Sequence, residues 1–374
     1  MRKTIRNISY FLLLLSLLTS ACLQASIVST AYYSTPWTLS DSIGPTEASA
    51  PQEKSIFDYL QRDTALSLKI ELNLQKYLDL KSIDVYLPAQ MHLQNEAGEW
   101  EQIPLRVKAR GKSRRQFCHF PPMKLKFFED WLATNHLAAY TDIKLVTHCR
   151  TAMEYRDVVL REYLVYKMLE VMTGNSFRVQ LARIEFVDFY QKKPGEYQYA
   201  MLLEPAEQLA HRLEGRLMEQ RGLLSKYVLE EELTFIAMFQ YFIGNTDWEL
   251  DRQHNVKYIK CPKIKQLKAI PYDFDVSGVV NAAYAIPAAH LPIEHVQERL
   301  FLGKCVSVEA FEKAILPFKK YQKELLAVVE GFEPLSQRQR KKMLKFLHQF
   351  YEDIERKDFI EKQLLGDCKR EDKE

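Results

Sequence analysis

The chain has 374 residues, 47% hydrophobic and 27% charged, the profile of a globular protein with a sizeable apolar core. Only 12 glycines argue against a collagenous, β-helical or low-complexity chain, and a net charge of +3 gives no bulk attraction to nucleic acid, which is not expected as a partner. Chains beyond ~250 residues tend to divide, so two lobes or domains are expected.

The chain opens with a basic stretch (Arg2, Lys3, Arg6), a Leu-rich run from Tyr10 to Leu18, and small residues at Thr19, Ser20, Ala21 and Ala25. That order reads as a secretory signal peptide over residues 1–25, its apolar run about half the ~20 residues a bilayer span needs. Cleavage after Ala21 or after Ala25 fits. Thr19-Ser20-Ala21-Cys22 also looks like a bacterial lipoprotein box, which makes a lipid anchor at Cys22 the alternative. No later segment has the length and apolarity of a membrane span. The protein is therefore expected to be exported, to the periplasm or the cell surface, with or without lipid. Beyond Cys22 lie Cys118, Cys149, Cys261, Cys305 and Cys368, an odd number at irregular spacing, which excludes a disulfide scaffold and a C-x-x-C zinc motif. In an oxidising compartment Cys118 and Cys149 are the preferred pair, and two small core thiols the alternative.

Residues 26–60 are rich in Ser, Thr, Ala and Pro at first and read as a leader or linker. From Leu66 apolar residues alternate (Leu66, Leu68, Ile70, Leu72, Leu74), as in a half-buried strand. The alternation returns at Ile103–Ala109 and Met123–Phe127, around the basic turn Arg110-Gly111-Lys112-Ser113-Arg114-Arg115, and Asp142–His148 reads as a further strand. These strands predict a mainly antiparallel sheet. The period then changes: Val158, Val159, Glu162, Tyr163, Tyr166, Met168 and Leu169 give one long amphipathic helix to about Met172. Phe177–Phe189 and Tyr197–Leu203 predict a hairpin. After Glu204-Pro205 the chain turns helical, with short strands at Val256–Ile259 and Lys268–Ile270 and long helices from about Glu309 and Ser336. Strands with one lone helix, followed by helices, is not a doubly wound α/β order. It predicts an α+β, bilobal protein-kinase-like fold: a β-rich N-lobe over 61–204 and a mainly helical C-lobe over 205–374.

The chemistry concentrates in Gly244-Asn245-Thr246-Asp247-Trp248, His254-Asn255-Val256 and Pro271-Tyr272-Asp273-Phe274-Asp275. Phosphoryl transfer asks a protein for one carboxylate to orient the attacking hydroxyl, and an Asn plus an Asp to hold the metal that bridges the phosphates. Mg²⁺ takes one or two carboxylates and keeps waters rather than a full protein cage. Asp247, Asn255 and Asp273 supply those three groups if a two-stranded hairpin sets the last two side by side. Asp and Asn at such positions also cap helices and make turns. Asp247 stands eight positions before Asn255, longer than the usual kinase catalytic loop, and Asp251 competes for the catalytic role. Asp275 is a further candidate metal ligand.

These segments, together with Arg110-Gly111-Lys112-Ser113, Lys124-Leu125-Lys126-Phe127 and Tyr155-Arg156-Asp157 leading into Leu160-Arg161-Glu162-Tyr163, resemble the spore-coat protein H (CotH) family of atypical kinases. The similarity runs over about residues 100–280. It implies ATP or another nucleotide with Mg²⁺ or Mn²⁺, a phosphate-binding lysine at Lys124 or Lys126, its helix partner at Glu162, catalysis at Asp247, and metal ligands at Asn255 and Asp273. Lys124 and Lys126 share one strand face, opposite Met123, Leu125 and Phe127. Glu162 sits mid-helix among apolar residues, where a carboxylate needs a partner; a solvated helix edge and two solvated lysines are the plain alternative. Arg110 and its basic neighbours read as a phosphate-gripping loop or as a solvated hairpin tip, since no Gly-x-Gly-x-x-Gly is present.

The leading expectation is an exported atypical kinase moving a phosphoryl group to a hydroxyl on a protein or a small molecule. An inactive binding module of the same ancestry is the second, and a metal-dependent hydrolase using Asp273 and Asp275 the third. No Gly-x-Ser-x-Gly or His-Glu-x-x-His supports a serine hydrolase or a zincin.

Overall fold

A computed structural model describes residues 54–371 apart from 96, 151, 191–196, 219–221, 223 and 265. The expected signal peptide over 1–25, the candidate lipidation site Cys22 and most of the expected leader over 26–60 lie outside the described residues. Those described fall in one compact unit.

Helix α1 (Ile56–Leu60) starts on a capping box, Ser55 and Asp58 each bonding the other's backbone. Strand β1 (Leu66–Leu72) follows, then α2 (Leu74–Asp79), β2 (Leu87–Gln94), β3 (Trp100–Ala109), α3 (Arg114–Phe117), β4 (Met123–Phe127), α4 (Glu129–Thr134) and β5 (Asp142–Val146). The long helix α5 (Met153–Met172) leads to β6 (Val179–Asp188) and β7 (Gln198–Leu203). Helix α6 (Ala206–Arg212), β8 (Arg216–Leu217), α7 (Glu230–Ile243), β9 (Val256–Cys261) and β10 (Gln266–Pro271) come next. The chain closes with α8 (Val308–Lys320), α9 (Gln322–Glu330), α10 (Gln337–Ile354) and α11 (Leu365–Glu371).

The first seven strands form a closed barrel in the order β1-β2-β3-β4-β5-β7-β6. Neighbours are antiparallel except at the closure, where β6 runs parallel to β1 with Leu66 opposite Ala182 and Leu72 opposite Asp188. This overturns the bilobal kinase-like fold expected from the order of elements. In place of a β-rich N-lobe and a helical C-lobe stands a closed barrel within a unit of mixed helix and strand. Alternation fixes the face a strand buries, not the strand it pairs with, so the ring closure is not written in the pattern. Two strands, β2 and the two-residue β8, are not among those expected; the inward Leu87, Ala89, Met91 and Leu93 of β2 alternate in the same way.

The inward face is apolar throughout: Leu68, Ile70, Met91, Ile103, Val107, Met123, Leu125, Ile143, Leu145 and Ile184 are buried in one cluster. A barrel this small is filled by its own side chains, leaving the interior as core rather than a ligand cavity. Strands β6 and β7 bury residues on both faces, with Ala182, Ile184 and Leu202 inside and Val179, Leu181 and Met201 outside against α5. β7 ends in a continuous apolar run, whereas β6 is broken by Gln180, Arg183 and Glu185, and Arg183 is exposed.

Helix α5 lies in a second apolar cluster with α7, α8, α10, β9 and β10. Its Val158, Val159, Leu160, Leu164, Val165, Tyr166, Met168 and Leu169 are all buried, so it is covered nearly all round, not on one stripe. Arg161 and Glu162 are buried with them. Two disulfides are present, Cys118–Cys149 and Cys305–Cys368, while Cys261 is free and buried. Among the described residues no helix is long and apolar enough to cross a membrane.

Candidate functional site

Helix α7 ends at Gly244, whose φ of +65° suits a residue without Cβ. Gly278 donates its N–H to the Gly244 carbonyl at 2.9 Å and Val279 donates to Ile243 at 3.0 Å, so residues 273–279 are laid against the helix end. A Cβ on Gly278 would stand 2.4 Å from the Val296 carbonyl oxygen, so the approach demands glycine.

Beyond Gly244 the chain makes a tight polar knot. Buried Asn245 donates through Nδ2 to Gln240 Oε1 at 2.9 Å and accepts the Asp247 N–H at 3.1 Å. Glu249 and His254 exchange backbone bonds at 3.0 and 2.9 Å, turning residues 250–253 into a short loop. The turn swings His254 and Asn255 back onto Asp247. His254 Nε2 lies 2.8 Å from Asp247 Oδ1, and Asn255 Nδ2 donates to the Asp247 carbonyl at 2.7 Å and to Oδ2 at 3.0 Å. Both amide hydrogens of Asn255 are spent on Asp247, which turns its Oδ1 away.

Strands β9 and β10 pair antiparallel with Val256 opposite Pro271, and the ladder is extended by Tyr272 N–H to Asn255 O at 3.0 Å. Asn255 and Asp273 therefore flank the open end of one hairpin, as expected from sequence. Both have left-handed backbones, φ +52° and +64°, a strain non-glycine residues carry mainly where the surroundings fix them, often at functional sites. Asp273 is fixed by its N–H, which donates to the Tyr166 hydroxyl of α5 at 2.9 Å.

The other expected residues divide. Asp251 turns away to accept from the buried Ser225 hydroxyl at 2.5 Å, though it shares a cavity with Asp247. Lys124 and Lys126 do share the outward face of β4, but Lys124 pairs with Asp142 at 3.1 Å and Lys126 lines a separate cavity of about 260 Å³ with Arg106 and Glu129. A lysine that feels the Asp273 carboxylate comes from the next strand. Lys144 is the cross-strand partner of Lys124, and its Nζ stands 5.2 Å from the centre of the Tyr272 ring. Lys257 approaches the same ring at 5.7 Å. Burial, together with repulsion from Arg110 and Lys257, pushes the Lys144 ammonium down to about 8. The sequence signal for Lys144 was the alternation of Ile143 and Leu145, which puts it on the outward face just ahead of α5.

Glu162 faces this group from α5. It is only 2% exposed, and among the described residues its Oε2 has no hydrogen-bond partner. Burial, then the carboxylates of Asp275 and Asp273, raise its pKa well above the ordinary value, while Arg114 and Arg110 oppose. Burial thus favours the neutral form of the Glu162 carboxyl over the charged one. Burial also lowers the pKa of Arg110 despite the nearby Asp273. Asp275 is buried, and its Oδ2 takes two donors: the Arg114 guanidinium, and the Tyr284 hydroxyl at 2.7 Å. The same guanidinium lies 3.8 Å from Asp273 Oδ1. Asp275 is therefore a counter-ion for Arg114 here rather than an open metal ligand.

Among the described residues no three His, Cys, Asp or Glu side chains are arranged to hold a metal ion. A divalent cation would rely on Asn255 Oδ1, the half-exposed Asp273 carboxylate and oxygens of a phosphate donor. Mg²⁺ tolerates that donor set, and the orientation of Asn255 fits it.

On the Asp247 side opens a cavity of about 490 Å³, lined among others by Asp247, Asp251, His254, His290, Lys304 and the Cys305–Cys368 bridge. Neither the protein-family models nor the curated proteins contain a match to this chain.

Proposed function

We propose that the protein is an exported, metal-dependent phosphotransferase that moves a phosphoryl group from ATP or another nucleotide to a hydroxyl on a protein or small molecule. Phosphoryl transfer needs positioned charge rather than one particular fold, so a closed barrel is no obstacle to it. The likeness of the motifs to CotH kinases points the same way, and the two disulfides suit an exported protein.

The observation that carries the reading is Asp247 bonded to Asn255, which flanks Asp273 at the end of one hairpin, beside cations that make no ion pair among the described residues. Lys144 and Lys257 flank the Tyr272 ring that precedes Asp273, and Arg110 is close enough to depress Lys144. Buried like charges are costly unless an anion joins them. A polyphosphate would supply that anion. Asn255 and Asp273 would hold the divalent cation, which neutralises charge on the phosphates. Asp247 orients the acceptor hydroxyl from the cavity side and takes its proton, its own carboxylate fixed by His254 and Asn255.

The second reading is an inactive phosphate-binding module, favoured by the Arg114 guanidinium on Asp275 and Asp273. Incubation with labelled ATP and Mn²⁺ separates the two. Transfer to the protein itself or to a supplied acceptor is expected. Asp273→Ala should abolish metal–nucleotide binding, whereas Asp247→Ala should keep binding and slow transfer by roughly 10²–10⁴-fold. Undiminished transfer by Asp247→Ala overturns the catalytic assignment, and binding without transfer by the unaltered protein favours the module.

A further inference from the structure

The two disulfides differ in how they meet solvent. Cys118 and Cys149 are 0% and 5% exposed, so that bridge is sealed inside the protein. In the other, Cys368 is 2% exposed but Cys305 stands open. Both of its residues line the cavity of about 490 Å³ that Asp247 and His254 also line. Thiol–disulfide exchange needs a thiolate to reach one sulfur of the bridge, so access decides which bridge a reductant opens first. The free Cys261 is buried, and burial pushes its thiol up, so it offers no internal thiolate to attack either bridge.

The open bridge ties down a piece of the cavity wall. Between Phe301 and Ser307 the chain forms neither helix nor strand, and residues 302–305 line the cavity. One end is anchored: Phe301 is 1% exposed, and its N–H donates to Asp367 Oδ2 at 3.1 Å. The other end is Ser307, the N-cap of α8, whose hydroxyl accepts the Ala310 N–H at 3.2 Å. In between, Lys304 Nζ lies 3.5 Å from Ser225 Oγ, at the outer limit of a hydrogen bond. Cys305 supplies the covalent tie, to Cys368 on the seven-residue helix α11.

We propose that Cys305–Cys368 is a thiol–disulfide exchange site for a dithiol, opened ahead of Cys118–Cys149, and that opening it loosens the wall of the Asp247 cavity. A thiolate of the dithiol attacks the Cys305 sulfur from the cavity, forms a mixed disulfide and releases Cys368 as a thiolate, which takes up a proton. The second thiol of the dithiol then attacks the mixed bond, releases Cys305 as a thiol and leaves the dithiol oxidised to its own disulfide. Two electrons and two protons pass to the protein. The exchange does not depend on what the cavity binds. Its effect on phosphoryl transfer rests on the reading that the acceptor enters beside Asp247.

The test is graded reduction of the unaltered protein with dithiothreitol, each stage quenched by alkylation and mapped by peptide mass spectrometry. Cys305 and Cys368 should be alkylated at dithiol concentrations about tenfold or more below those that open Cys118 and Cys149. Simultaneous opening, or opening of Cys118–Cys149 first, overturns the proposal. With only Cys305–Cys368 open, amide hydrogen exchange over 302–306 and α11 should rise about tenfold or more relative to the amides of β3 and β4. A rise no larger there than in the barrel strands overturns the loosened wall. Cys305→Ser with Cys368→Ser should show the same exchange without reductant, and the unaltered chain decides the matter if that variant does not fold. With labelled ATP, Mn²⁺ and a supplied acceptor, selective opening should lower transfer, and transfer unchanged beside a loosened wall overturns the link to the site. Selective opening in a protein that never transfers phosphate leaves the exchange site standing and sinks the phosphotransferase reading instead.

Discussion

Replacing Glu162 by Gln tests the electrostatics of the site without any ligand. Gln keeps the shape of a protonated carboxyl and cannot ionise. In the unaltered protein, burial and the carboxylates of Asp275 and Asp273 raise the Glu162 pKa above its ordinary 4.5. The folded state then keeps a proton that the unfolded chain releases as pH passes upward through that ordinary value. Folding stability contributed by this group is full below it and falls as pH rises, until the folded pKa is reached. The slope is about 1.4 kcal/mol per pH unit while the folded state alone holds the proton. The substitution removes this one slope and leaves the neighbouring groups in place, so the difference between the two proteins isolates it. Urea denaturation at a series of pH values, with a chelator to exclude metal, measures both. At about pH 4 the two should be nearly equal, and above it Glu162→Gln should become progressively the more stable. Parallel curves would refute the reasoning. So would a gain by the unaltered protein at neutral pH, which would mean that Arg110 and Arg114 hold Glu162 ionised.

The remaining expectations are structural. The Glu204 side chain is fully buried where β7 hands over to α6, and accepts from Arg178 and Arg212 through both its oxygens at 2.7–3.0 Å. Glu204→Ala leaves two arginines facing each other and should cost about 3–5 kcal/mol in chemical denaturation. A loss below about 1 kcal/mol would show that water replaces the carboxylate there. The Cys118–Cys149 bridge closes 31 positions of chain. Cys118→Ser together with Cys149→Ser should lower stability by about 3–4 kcal/mol on loop-closure entropy, read from denaturation with and without reductant. Reductant should destabilise the unaltered protein by more than this, because it also opens Cys305–Cys368, and the double variant only by the share of Cys305–Cys368.

Much of the candidate site is local, and local order is legible. Alternation places Lys124 and Lys126 outward and Met123, Leu125 and Phe127 inward, because successive residues of a strand face opposite sides. The hairpin of β9 and β10 follows from two short apolar runs, and it alone brings Asn255 beside Asp273. Asp247 joins them through the eight-residue span to Asn255, whose amide hydrogens it accepts. Glu162 is expected on the same helix by its spacing, and its need for a partner follows from its apolar neighbours.

Everything that depends on which elements become neighbours was left to the tertiary structure. The parallel pairing of β6 with β1 turned an expected open lobe into a barrel, because a strand's periodicity carries no record of its partner. Lys144 rather than Lys124 comes to lie near the acidic group because β5, not β4, is the strand that leads into α5. Arg114 meets Asp275 only once a segment after β3 and a turn after β10 are packed together. Sequence determines which face of an element is apolar and which residue types stand at its ends. Charge pairing across more than a hundred residues is decided by packing, since a Coulomb interaction depends on distance in space and not along the chain.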